Sequence, residues 1–227
     1  MAIIGVAQPA PVERIIVALD STSPEQLLPM VDALVKSGLQ WFKVGLATWI
    51  AGGPAFVDRL RAKGARVFLD LKLHDIPHQV RLATQSASNL GVELLTIHAC
   101  GGEEMIAAAR DGASSGMRVI AVTVLTSLDA TVNDVVHAGE RAVASGADGL
   151  VCSPREVKAV RQSLGGAILL VTPGIRPSWS TRDDQKRIAS PRDAIDWGSD
   201  LLVIGRPISQ AQDPITAVQR ILDELTA

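Results

Sequence analysis

The chain is poor in the features that most often announce a function. It has two cysteines in 227 residues, Cys100 and Cys152. Neither sits in a CxxC or Cys/His cluster, which argues against a disulfide framework or a zinc site and fits a reducing cytoplasm. No apolar run reaches the roughly 18 residues of a membrane span. Charge of neither sign dominates, since 22 Lys and Arg face 24 Asp and Glu for a net −2. A nucleic-acid polymer or an acidic membrane surface would call for a basic stripe. Met1–Pro11 holds no Lys or Arg, so it reads as part of a short, loosely ordered arm over residues 1–12, not as a signal peptide. Linkers, repeats of fixed length, low-complexity segments and a G-x-G-x-x-G after a strand are missing as well.

What remains is an alternation. Apolar residues make up 47% of the chain, ample for a core. They fall into eight short runs separated by helical patterns: Ile15–Asp20, Trp41–Gly45, Val67–Leu73, Leu94–His98, Val119–Thr123, Gly149–Val151, Ile168–Thr172 and Leu201–Ile204. Most lack apolar/polar alternation, as expected of parallel strands buried on both faces. A glycine at or just past the end of a helical pattern precedes seven of the eight: Gly38, Gly64, Gly91, Gly116, Gly146, Gly165 and Gly198. Such glycines suit helix C-caps. The first helix should start with Ser23 as N-cap, Pro24 at N1 and Gln26 at N3, and Pro29 should kink or shorten it. Eight βα units with no change in composition predict an α/β fold, a single-domain (β/α)8 TIM barrel over residues 13–227. A doubly wound open sheet fits less well.

The stretch VFLDLKLHDIPHQV, residues 67–80, stands out. Side chains alternate along a strand, so Asp70 and Lys72 share one face while Leu69, Leu71 and Leu73 take the other. Charges are seldom buried without a partner. An acid and a base between leucines therefore form a structural ion pair or a reaction centre. Asp75 follows in the loop before Pro77, where catalytic groups of βα proteins commonly lie and where a helix-capping carboxylate would lie too. Lys43 in WFKVG repeats the oddity, and Asp20 ends the apolar run IIVALD.

In a barrel the carboxyl ends of the strands make the active face. Those ends carry Asp20, Lys43, the Asp70/Lys72/Asp75 group, His98, Thr126, Arg176, and Gly205 with Arg206. The loops after the seventh and eighth strands commonly bind phosphate, and here they supply Gly174, Arg176, Gly205 and Arg206. The polar stretch Pro173–Pro191 has the length of a lid or binding loop. His98 and Cys100 read as packing and turn residues, and His137 as a surface residue. Lys43, Asp70, Lys72 and Asp75 can build an alternating charge network. Opposite charges about 4 Å apart attract by roughly 4 kcal/mol at an effective dielectric near 20. The network favours ammonium and carboxylate forms, so Lys72 suits a proton donor better than a Schiff-base nucleophile.

Taken together, DLKLHDIP, the ALD of the first strand, FKVG, VLTS, PGIRP and IGRPI resemble the orotidine 5′-phosphate decarboxylase family, in order from about Ile15 onward. The resemblance implies a cytoplasmic homodimer that converts orotidine 5′-monophosphate to UMP without metal or organic cofactor. It implies that Lys72 protonates C6, that Asp70 lies against the substrate carboxylate, and that Asp75 enters from the partner subunit. Asp20 and Lys43 would bind ribose hydroxyls, Thr126 the pyrimidine edge, and Arg176, Gln185, Gly205 and Arg206 the phosphate. Gln79 and His78 stand where the family often has Thr and Asn, with Gln79 expected to contact substrate. Two other readings stand beside this one. A relative sharing DxKxxD would be a Mg2+-dependent sugar-phosphate lyase or decarboxylase, but Lys43 occupies the place of its metal-binding carboxylate. A catalytically inactive nucleotide-binding barrel is the other.

Overall fold

Runs of Val, Ile and Leu that offer no polar face can satisfy their backbone only between two neighbouring strands, with cover on both sides. In the computed structural model, which describes residues 9–125, 129–180 and 188–226, those runs are β1 (Ile15–Leu19), β2 (Trp41–Gly45), β3 (Arg66–Leu73), β4 (Leu94–His98), β5 (Arg118–Val122), β6 (Gly149–Val151), β7 (Leu169–Thr172) and β8 (Leu201–Ile204). They pair in parallel in sequence order, and β8 returns to β1 to close the barrel. The expected strands agree with the observed ones to within a residue at either end.

Around the barrel lie α1 (Leu28–Lys36), α2 (Leu46–Ala62), α3 (Pro77–Asn89), α4 (Glu103–Gly112), α5 (Val132–Ala144), α6 (Pro154–Leu164), α7 (Pro191–Asp196), α8 (Arg206–Ser209) and α9 (Pro214–Thr226). No helix among the described residues is long and apolar enough to cross a membrane. Residues 1–8 of the expected arm lie outside the described residues, and Pro11–Arg14 form a 3-10 turn leading into β1.

Alternation along each strand splits the core in two. Ile15, Val17 and Leu19 of β1 face the helices together with Phe42, Val44, Val67 and Leu69. Ile16 and Ala18 face the barrel axis with Trp41, Phe68, Leu94, Ile120, Val171, Leu201 and Val203. Following the inward phase upward leads to the charges: Trp41 then Lys43, Phe68 then Asp70, Leu94 then Thr96. Apolar layers thus plug the lower barrel and leave the polar groups at its carboxyl end.

Two local expectations needed correction. Ser23 makes no side-chain cap bond, and Pro24–Leu27 is a 3-10 turn instead of the first turn of the α-helix. Helix α1 begins at Leu28, with Pro29 in its first turn, where a missing N–H leaves no helical hydrogen bond unmade. The capping box around Ser23 and Gln26 is therefore not formed, and Pro29 shortens the helix without kinking it. Of the seven cap glycines, six have positive φ; Gly116 does not.

Candidate active site

A cavity of about 320 Å³ opens at the carboxyl ends of the strands. Its charged side comes from β1, β2 and β3. Lys43 Nζ lies 3.2 Å from Asp20 Oδ1 and 3.4 Å from Asp70 Oδ2, and Lys72 Nζ donates to Asp70 Oδ1 at 2.7 Å. The four side chains form a row of alternating sign, Asp20–Lys43–Asp70–Lys72. Its middle is the most enclosed part, with the Lys43 and Asp70 side chains 11% and 12% exposed.

Gly45 is what lets the row close. It follows Lys43 on the inward face of β2, and a Cβ there would sit 2.9 Å from both Asp20 Oδ1 and Lys43 Nζ. Any larger residue would push the pair apart. Thr48, fully buried at the start of α2, fixes the loop that carries Asp20. Its hydroxyl donates to Leu19 O at 2.6 Å and accepts from Ser21 N at 2.9 Å.

Strand β3 is less regular than its sequence suggests. Leu69 pairs with Leu95 and Leu73 with Ile97, so four steps along β3 match two along β4. Two extra residues are accommodated as a bulge, a device common beside active sites. Leu71 and Leu73 still pack outward, and Asp70 and Lys72 still face inward. Lys72 does so with φ at +52°, alone among the described non-glycine residues. That conformation costs about 1–3 kcal/mol and persists only where its surroundings enforce it.

Burial by itself would raise the Asp70 carboxyl. The ammonium groups of Lys43 and Lys72, with hydrogen bonds from Lys72 and Thr96, outweigh it and hold the group below its ordinary 3.8. Asp70 is therefore ionised at neutral pH, although nearly buried. His98, at the end of β4, has its ring centroid 5.6 Å from that of His74. Partial burial, then His74 and Lys72, push it below its ordinary 6.5, against a smaller opposing pull from Asp70.

The opposite wall is apolar: Val122, Val124, Leu125, Val151, Cys152, Val171 and Val203. Burial, reinforced by Glu156, pushes the Cys152 thiol up to about 12, so it is a neutral and inert part of that wall. At the far end Gly174 and the buried Arg176 follow β7, and Gly205 and Arg206 follow β8. The loop after β7 is pinned where it is described. Arg176 N donates to Ala189 O at 2.9 Å, Ser178 N to Glu224 of α9 at 2.9 Å, and Arg220 stacks over the Trp179 ring at 4.2 Å.

One cavity thus gathers Asp20, Lys43, Asp70, Lys72, Arg176, Gly205 and Arg206. Asp75 and Gln79 are exposed and do not line it. Asp75 accepts from Ile76 N at 2.7 Å and makes no ion pair with a described residue. Thr126 and Gln185 lie outside the described residues. His137 is exposed on α5. Sequence reasoning overlooked Gly45, Thr48, Thr96 and the apolar wall. Only the inward phase of β2 and β4 hinted at Gly45 and Thr96.

The family profile described as orotidine 5′-phosphate decarboxylase / HUMPS matches residues 13–221. The chain belongs to that family. It is 47% identical over 223 residues to the orotidine 5′-phosphate decarboxylase of Anaeromyxobacter sp. (strain K), covering 93% of this chain and 97% of that one. Identity is 40% over 225 residues to the enzyme of the same name from Streptococcus pneumoniae (strain ATCC 700669 / Spain 23F-1), with 94% and 97% covered. Among solved structures, orotidine 5′-phosphate decarboxylase from Lactobacillus acidophilus superposes with a TM-score of 0.84 at 35% identity, over 95% of this chain and all of the other. Family membership, barrel and cavity therefore agree. Because the family description covers more than one kind of enzyme, the choice among them falls to the residues of the cavity.

Proposed function

We propose that this protein decarboxylates orotidine 5′-monophosphate to UMP and CO2, the last step of de novo pyrimidine synthesis, in the cytoplasm and without metal or organic cofactor. The observation that carries the reading is the row Asp20–Lys43–Asp70–Lys72 facing an apolar wall, with two arginines at the far end of the same cavity.

The ring would lie against the valines. The ribose hydroxyls would meet Asp20 and Lys43, and the phosphate Gly174, Arg176, Gly205 and Arg206. Gln185 from the loop after β7 and Thr126 at the pyrimidine edge complete the set. The substrate carboxylate then faces Asp70, an anion already held in place by its neighbours. The C6–carboxylate bond cleaves with its electron pair left on C6, and CO2 departs. Lys72 delivers its ammonium proton to C6 and is reprotonated from solvent. Repulsion from Asp70 is relieved as the carboxylate loses its charge, while the attraction of Lys72 grows as charge develops on C6. Interactions that strengthen toward the transition state are those that accelerate a reaction. Binding energy from the distant phosphate holds the reacting end in register.

Asp75 is read as a residue of the neighbouring site in a homodimer. Support comes from its exposure beside Ile76, which is 62% exposed, and Leu82, 39% exposed, on the same segment. Gln79, one turn into α3, would reach the substrate across the same interface.

A Mg2+-dependent sugar-phosphate lyase or decarboxylase is disfavoured by Lys43. An ammonium has no lone pair for a metal, and it already fills the space between the two carboxylates. Purified protein mixed with orotidine 5′-monophosphate, with and without EDTA and followed by ultraviolet absorbance, tests the reading. Rapid, EDTA-insensitive formation of UMP is expected. No conversion, or EDTA-sensitive turnover of a sugar phosphate, would overturn it.

A further inference from the structure

We propose that Thr96 is a positioning residue of the decarboxylation: its hydroxyl holds the Asp70 carboxylate and the Lys72 backbone together in the reacting arrangement. This rests on the decarboxylase reading of the cavity.

Thr96 lies in the middle of β4 with no exposed surface, facing the barrel axis above Leu94. Its Oγ accepts from Lys72 N at 2.8 Å and donates to Asp70 Oδ1 at 2.9 Å. A hydroxyl has one hydrogen and two lone pairs. A lone pair takes the Lys72 N–H and the single hydrogen goes to Asp70 Oδ1, so Thr96 adds one donor to a carboxylate that its lysines already keep ionised. The same Oδ1 receives Lys72 Nζ, so one carboxylate oxygen, one hydroxyl and the two ends of Lys72 close a loop.

The bulge explains why the side chain is needed. Where β3 and β4 lose register, the Lys72 N–H is carried away from the regular ladder and would be left buried without an acceptor. Thr96 supplies a side-chain acceptor in place of a backbone carbonyl. It thereby supports the left-handed conformation at Lys72 that turns Nζ back over Asp70. An apolar residue in β4 would leave the N–H unmet and Asp70 short of one donor. Regular strand pairing needs no such hydroxyl, so packing alone does not account for a threonine in LLTIH.

The charged groups facing Asp70 are Lys43 from β2, with Asp20 behind it, Lys72 on its own strand, and His98 one inward step above Thr96 on β4. Removing the Thr96 donor leaves these in place and takes away one interaction that favours the carboxylate.

The test compares Thr96→Val, which keeps the shape and removes the hydroxyl, with Thr96→Ser, which keeps the hydroxyl. A misplacement of about 1 Å can lower turnover on the order of 100-fold, so Thr96→Val should lower kcat by about 10- to 100-fold. KM for orotidine 5′-monophosphate and affinity for UMP should stay within roughly threefold, because the phosphate and ribose contacts are untouched. The acid limb of its kcat–pH profile should move to higher pH as Asp70 becomes easier to protonate. Thr96→Ser should restore kcat and the wild-type profile. Should Thr96→Val fail to fold, Thr96→Ala is carried through the same measurements with the same expectations.

The proposal is overturned by a hydroxyl-free variant with wild-type kcat and an unmoved acid limb. It is equally overturned by a serine variant as impaired as valine, or by a loss confined to KM. Wild-type protein inert toward orotidine 5′-monophosphate would instead bring down the decarboxylase reading itself, so the two failures are told apart.

Discussion

Strands β1–β3 and strands β5–β8 line the same cavity with opposite chemistry. The first three place Asp20, Lys43, Asp70 and Lys72 on it, whereas the others place valines, Leu125 and an inert thiol there, with Arg176 and Arg206 only in the loops beyond β7 and β8. Neither wall would serve alone. Four charges facing open water would be screened, and an apolar pocket without them could hold a ring but not stabilise a carbanion. Set face to face, the apolar wall lowers the local dielectric and the charged wall works within it, pre-oriented by the backbone rather than by solvent.

The difference between the walls predicts a graded series. Lys72→Ala removes the proton donor. A general acid typically contributes about 10²–10⁴-fold, and kcat should fall by at least that much with the fold retained. Near-normal turnover by a folded variant would refute the assignment. Arg206→Ala spares both walls and loses a charge-assisted contact worth about 1.5–3 kcal/mol, so kcat/KM for the nucleotide should drop by about 10- to 100-fold. Turnover of phosphate-free orotidine should be unchanged. An equal loss on both substrates would remove Arg206 from the phosphate site.

Val203→Thr puts a hydroxyl into the apolar wall at nearly constant shape. Burying it should cost about 1–3 kcal/mol of stability, visible as a lower Tm, with turnover reduced only severalfold. A change in Tm without any change in turnover would mean that the wall is mere packing.

The smallest effects come from pH. Asp70 is held below 3.8, so its contribution to stability is complete above that value and is lost as pH falls through the folded-state pKa. His98 is pushed below 6.5, so the fold favours its neutral form. Its contribution is present above pH 6.5 and declines as pH falls through its lower folded value. Thermal melts between pH 7.5 and pH 5 should therefore show a shallow loss of stability, shallower still in His98→Asn. Identical curves for the two proteins would show that His98 does not sense pH.

Much of this architecture is legible in the amino-acid sequence. Buried strands have a plain signature, and all eight are within a residue of where the apolar runs put them. The charges Lys43, Asp70 and Lys72 are conspicuous because apolar runs so rarely contain them. Local chemistry is a less reliable guide: Ser23 has the residue pattern of a capping box, yet Pro29 decides where the helix begins. Gly45 and Thr96 are illegible as site residues. The inward phase of β2 and β4 puts them on the right face, but their roles arise from what lies across a strand boundary, which spacing along one strand does not record.

The sequence by itself therefore determined the architecture and the identity of the charged groups, because periodicity and out-of-place charge are local properties of the chain. Tertiary structure alone decided the order Asp20–Lys43–Asp70–Lys72, the facing wall of valines, and the bulge that Thr96 sustains at Lys72. Those depend on the register between strands that are remote in sequence and on closing the sheet into a barrel. Distances between such groups are fixed by packing and not by spacing along the chain.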